Sequence, residues 1–115
     1  MKKIDTKKVL LDLDDRPISF DGNSENKATV GRVIAFMLQG YKGKIFGGDS
    51  LKVLELARSF YKKDSVSLDK ADFKKIKDVV TEDQQFTPII LGQVIEILDD
   101  AKEEEIEVKQ QNEDK

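Results

Sequence analysis

Four carboxylates lie close together near the N-terminus: Asp12, Asp14 and Asp15 within Leu10-Leu11-Asp12-Leu13-Asp14-Asp15, then Asp21. Two aspartates separated by one residue, after an apolar stretch, are spaced for paired-carboxylate chemistry. The same oxygens suit a hard cation alone. A second candidate is Gly43-Lys44-Ile45-Phe46-Gly47-Gly48-Asp49-Ser50, a glycine-rich loop entering a helix, where free backbone N–H groups hold phosphate. Lys70, Lys74, Lys75 and Lys77 form a third, a basic stripe spaced to follow nucleic-acid phosphates. The fourth is apolar. Tyr41, Ile45 and Phe46, in and beside the glycine-rich loop, either plug the core or meet a protein partner.

Each polar candidate has a plainer explanation. The Asp12-x-Asp14 pattern resembles the first motif of haloacid-dehalogenase-type phosphatases, but Arg16 stands where that motif has threonine or valine. Pro17-Ile18-Ser19-Phe20 then continues as a hairpin rather than a strand–helix crossover, so the acids read as a solvated turn. The EF-hand spacing of glycine and terminal glutamate is not met, and no metal site is assigned. No Gly-Lys-Ser/Thr follows four residues after a glycine in the 43–50 loop, and Asp49 sets a negative charge where phosphate would sit. Asp69, Asp72 and Asp78 interrupt the lysine stripe, and the only arginines are Arg16, Arg32 and Arg58. Base reading relies on arginine or amide side chains, so a solvated helix face is the simpler expectation. For Ile45 and Phe46 the core is favoured over a partner.

Composition narrows the chemistry further. The 115 residues suit one domain with a single modest core. Neither cysteine nor histidine occurs, which removes disulfides, thiolate and imidazole metal sites, and every Ser-His or Cys-His nucleophile pair. A non-enzymatic protein without cofactor is therefore expected. Charged residues at 37% against 38% hydrophobic fit a soluble cytoplasmic protein without a membrane span. Residues 99–115 carry eight acids and three lysines, a net of −5, whereas residues 1–98 are net +2. The division expected is a globular unit over 1–98 and an acidic, partly helical or disordered tail over 99–115.

The elements that position these residues follow from periodicity. Val9, Leu11 and Leu13, then Ile18-Ser19-Phe20 beyond an Asp-rich turn, predict a β-hairpin. Val30, Val33, Ile34, Met37, Leu38 and Tyr41 recur at helical spacing until Gly40 and Gly43. A helix capped by Asp49 or Ser50 follows. Leu51, Leu54, Ala57 and Tyr61 share one face and Val53, Leu56 and Phe60 widen it, a stripe broad enough to require two neighbours. Ser65–Leu68 is an extended piece expected to pair with an edge of the hairpin. Asp69 caps the next helix, whose buried face is Phe73, Ile76, Val79 and Val80. Thr87-Pro88 opens the most apolar segment, Phe86–Leu98, expected to be the central helix, wrapped on most sides and running on a turn or two past Leu98. Gly92 within it is expected to mark a close helix approach. The fold class is α+β, predominantly α: an N-terminal hairpin and about four helices.

The order of Leu11–Ile18, Thr29–Ala35, Asp49–Ala57, Val66–Phe73 and Phe86–Gln93 resembles a group of small proteins of tailed phages and prophages. The resemblance spans most of residues 4–98 and rests on caps and core positions. It implies a phage-related role, in the host cytoplasm or the virion, and carries no site residue. The leading expectation is a protein–protein interaction or assembly factor acting through Tyr41, Ile45 and Phe46, by binding a partner or itself. The alternative is a small nucleic-acid-binding regulator using Lys70, Lys74, Lys75 and Lys77.

Overall fold

The computed structural model describes residues 1–20, 22 and 26–103. Its most enclosed element is helix α1 (Val30–Gln39). Thr29 holds extended backbone and its hydroxyl accepts from the Arg32 N–H, capping the helix. Val30, Val33, Ile34, Met37 and Leu38 are buried, as are Gly31 and Ala35 between them. Gly31 lies against the end of the next helix. A methyl there would collide with the Phe60 carbonyl and lie 2.7 Å from Thr6 Cβ.

Helix α2 (Ser50–Lys62) starts where Asp49 accepts from the Lys52 N–H, and only Leu56 and Phe60 are fully buried along it. Helix α3 (Lys70–Glu82) is capped by Asp69 through the Asp72 N–H and buries Ile76, Val79 and Val80, with Phe73 half-buried beside them. Helix α4 (Pro88–Asp99) has Pro88 in its first turn; Thr87 occupies the cap position, but its hydroxyl makes no cap bond. The predominantly α, α+β architecture with four helices is as the periodicity predicts.

The N-terminal antiparallel hairpin is present and gains a third member. The Asp12 N–H donates to the Arg16 carbonyl across the turn, and the Ile18 N–H donates to Leu10. Leu10 in turn donates to Ala28 (2.9 Å), and Ala28 to Ile18 (2.7 Å), closing a ring of three backbone bonds among three successive segments. Leu10 and Ala28 are buried at its centre.

Four expectations are corrected. Ser65–Leu68 does form a strand, but it pairs antiparallel with Lys2–Asp5 rather than with the hairpin, Lys2 opposite Leu68 and Asp5 opposite Ser65. With β1 (Lys2–Asp5), β2 (Ser65–Leu68) and β3 (Lys102–Glu103), the sheet order is β2-β1-β3. Helix α4 stops at Asp99 instead of extending as an arm, and residues 102–103 return to pair with Lys3 and Lys2. The fold therefore reaches Glu103; the rest of the expected acidic tail lies outside the described residues. Nor is α4 wrapped: only Val94 and Leu98 are fully buried, one side faces solvent, and α1 takes the central place. Lastly, Gly92 marks no close approach, since an added Cβ would meet nothing within 4 Å.

Thr6 ties these parts together. It is buried, its N–H donates to the Asp64 carbonyl, its hydroxyl donates to the Lys63 carbonyl, and its own carbonyl accepts from Gly31. One residue thus joins the end of β1 to the turn after α2 and the start of α1. Three otherwise orphaned backbone groups are satisfied there.

Candidate functional site

The broad stripe on α2 packs along α1 and touches β2, and one side of it is still left open. Leu56 and Phe60 face the core, and Val53 and Ala57 are half-buried at its margin. The other side, Leu51, Leu54 and Tyr61, is 65%, 43% and 61% exposed. A large residue spaced every three or four positions along a helix is a contact face, and here nothing among the described residues covers it.

Leu54 and Tyr61 from that face, with Val53 and Ala57, form one wall of a groove of about 710 Å³ between α2, the end of α1 and the 41–50 loop; Leu51 lies outside its lining. Ala35 and Leu38 on α1, and Tyr41 and Phe46 from the loop, supply the rest of its apolar lining. The loop is held in shape from within. The Ile45 N–H donates to the Tyr41 hydroxyl at 3.1 Å, and the Tyr41 and Phe46 rings meet edge to face with centroids 6.3 Å apart. Gly47 and Gly48 have φ of 61° and 80°, which glycine adopts without strain, and they turn the chain into the Asp49 cap. Phe46 is buried and Ile45 and Tyr41 are half-buried. The three therefore act first as core, as favoured for Ile45 and Phe46, and Tyr41 and Phe46 also line the groove.

A smaller cavity lined by Phe20, Arg32, Phe36 and Asn26 shares Ala35, Gln39 and Tyr61 with the groove. Beside it Phe36 stacks edge to face on Phe20 (5.4 Å) and on Phe86 (5.7 Å), although Phe36 itself is 42% exposed. This aromatic trio draws on three segments of chain, so periodicity within any one of them does not reveal it. The exposed half of α2 carried a readable signal, its excess width.

The lysine candidates are dispersed in use. Lys74 pairs with Asp78 at 3.1 Å, Lys77 pairs with Asp99 on α4, and the Lys75 ammonium lies 5.8 Å from the centre of the Phe46 ring. Lys70 is exposed. Lys52, on α2, meets Asp72 on α3 at 2.8 Å; that hydrogen bond, then the carboxylate's charge, raises the lysine pKa above its ordinary value.

The N-terminal carboxylates build their own turn. Asp12 Oδ1 accepts from the Asp14 and Arg16 N–H groups at 2.8 and 3.0 Å, and Asp14 pairs with the Arg16 guanidinium at 2.8 Å. The hydrogen bond from the Arg16 N–H, above all, holds the Asp12 carboxyl below the usual carboxylate range; burial opposes it, and the Asp14 N–H and the guanidinium charge add smaller lowering effects. Asp15 takes the left-handed conformation at φ 61°. Among the described residues no group of three acids could hold a metal ion, and no helix is long and apolar enough to cross a membrane. Comparison with protein-family models, with curated proteins and with solved structures finds no match.

Proposed function

We propose that this is a non-enzymatic interaction protein that docks a protein partner on the outer face of α2 and the groove beside it. The observation that carries the reading is the uncovered row Leu51, Leu54 and Tyr61 on a helix whose other side is packed. Burying three large side chains supplies the apolar centre that a docking surface needs, and Tyr61 and Arg58 are residue types that dominate such centres. An assembly or accessory role in a phage or prophage setting agrees with the resemblance of the hairpin, caps and core segments. A photo-crosslinking residue at position 51, introduced in the native host, should give a discrete protein adduct. Leu54→Asp should abolish it while leaving the circular dichroism spectrum intact. If no adduct forms, or the adduct survives Leu54→Asp, the face is not a docking surface.

The nucleic-acid alternative is less well supported, because Lys74 and Lys77 already have acidic partners. It predicts a gel shift at low ionic strength, where phosphate contacts are strongest. We expect none.

A further inference from the structure

Leu13 is the most exposed large apolar side chain among the described residues, at 85%. It stands at the apex of the hairpin turn, a place that ordinarily takes glycine, proline or a short polar residue. Leu11 and Ile89 are exposed as well. With Leu13 and the open site at Gly92 they line a recess of about 580 Å³ between the turn and α4. Every charged group in that lining is an acid: Asp12, Asp15 and Glu96. The turn is braced from within and from behind. The Asp12 side chain accepts from two N–H groups of the turn, its carbonyl accepts from the Asp15 N–H, and Gln93 holds both backbone groups of Leu11. An apolar tip already held in shape loses little freedom when it docks.

The groove beside α2 carries the opposite charge. Arg58 and Lys62 belong to its lining and have no ion pair among the described residues, and its one acid, Asp49, is engaged in capping α2. Asp15 and Glu96 at the recess likewise have no cation of their own among the described residues. Resting on the reading of the α2 face as a docking surface, we propose that the groove receives the hairpin tip of a second copy of this chain. Leu13 enters among Leu54, Ala57 and Tyr61, and the acids around it meet Arg58 and Lys62. The two linings share no residue: one belongs to α1, α2 and the loop between them, the other to the hairpin and to α4, which packs on α3. They are separate sites on one folded unit, so the contact joins separate molecules. Groove against groove is the poorer pairing, because it sets cations on both sides and leaves Leu13 uncovered. Tip into groove leaves each copy a second site to fill. The assembly therefore closes into a ring, of which a reciprocal dimer is the smallest, or runs on as a filament.

Sedimentation velocity of the full-length protein at rising concentration tests this. The wild-type chain should pass from monomer to dimer or larger species at low ionic strength. Leu13→Asp removes the apolar tip and Leu54→Asp spoils the groove, so each variant alone should stay monomeric with an unchanged circular dichroism spectrum. Arg58→Glu with Lys62→Glu should do the same by reversing the charge of the groove. The decisive sample is an equal mixture of the Leu13→Asp and Leu54→Asp chains. One intact tip and one intact groove remain between them, so the mixture should associate and stop at a dimer. A wild type that stays monomeric, association that survives any of these changes, or a mixture that remains monomeric would each overturn the proposal. The crosslink at position 51 reports the docking face separately: an adduct to a different protein, with the wild type monomeric, removes this inference alone.

Discussion

Gln93 does for the hairpin what a neighbouring strand would do. Its side-chain oxygen accepts from the Leu11 N–H at 2.9 Å and its nitrogen donates to the Leu11 carbonyl at 2.7 Å, so one amide satisfies both backbone groups of an edge residue. A polar glutamine within an apolar helix does not disclose that role, because the partner lies 82 residues away. The glycines show the same limit. Gly31 and Gly92 both interrupt helical patterns, yet what each needs is set by its neighbours. Gly31→Ala should lower stability by about 1–3 kcal/mol through forced displacement of Phe60 and Thr6. Gly92→Ala should raise it by about 1 kcal/mol, since the site is helical and open. Urea midpoints at constant slope read both. Asp12 gives a pH prediction at this scale. Its folded pKa is depressed, so its contribution is full above the unfolded value of about 3.9 and fades as pH falls through the folded value. Amide exchange at Asp14 and Arg16 should therefore accelerate in acid beyond the ordinary trend, and Asp12→Asn should remove that acid-dependent part.

Among the elements, helices were the most legible. Their starts are written in Thr29, Asp49 and Asp69, each with a cap bond to the N–H three residues on. Strand β1 was not, because Lys2-Lys3-Ile4-Asp5 offers one apolar residue, and Ile4 is buried only once Ser65–Leu68 and residues 102–103 arrive. Helix α4 was misplaced for a related reason: apolar content shows what a helix can bury, whereas neighbours decide what it does bury. Helix α2 allows the two faces to be separated by experiment. Phe60→Ala should cost about 3–5 kcal/mol as a core truncation. Leu54→Asp should change stability by no more than about 0.5 kcal/mol, as surface substitutions do. Thermal or urea unfolding of the two variants checks the contrast, and a large loss in Leu54→Asp would show that its face is structural.

Across the whole molecule, the sheet gathers residues from both ends of the described chain onto one strand: β1 lies between β2 from the middle of the sequence and β3 from beyond α4. The groove has the same character, with walls from α1, α2 and the loop between them, so its apolar members were legible singly and its shape was not. This arrangement makes the position of chain ending informative. Removing residues 101–115 takes away Ala101 from the core margin, its carbonyl bond to Lys2, and the pairing of Lys102 and Glu103 with β1. At about 0.5–1.5 kcal/mol per hydrogen bond, the loss should be roughly 1–4 kcal/mol. Ending the chain after Glu103 keeps all of these and should leave the urea midpoint unchanged. The two truncations thus locate the C-terminal edge of the fold. A midpoint that falls only for the larger deletion sets that edge at residues 101–103, because the bond of Ala101 and the pairing with β1 are then what was lost. A midpoint that falls equally in both would place structural contacts beyond Glu103.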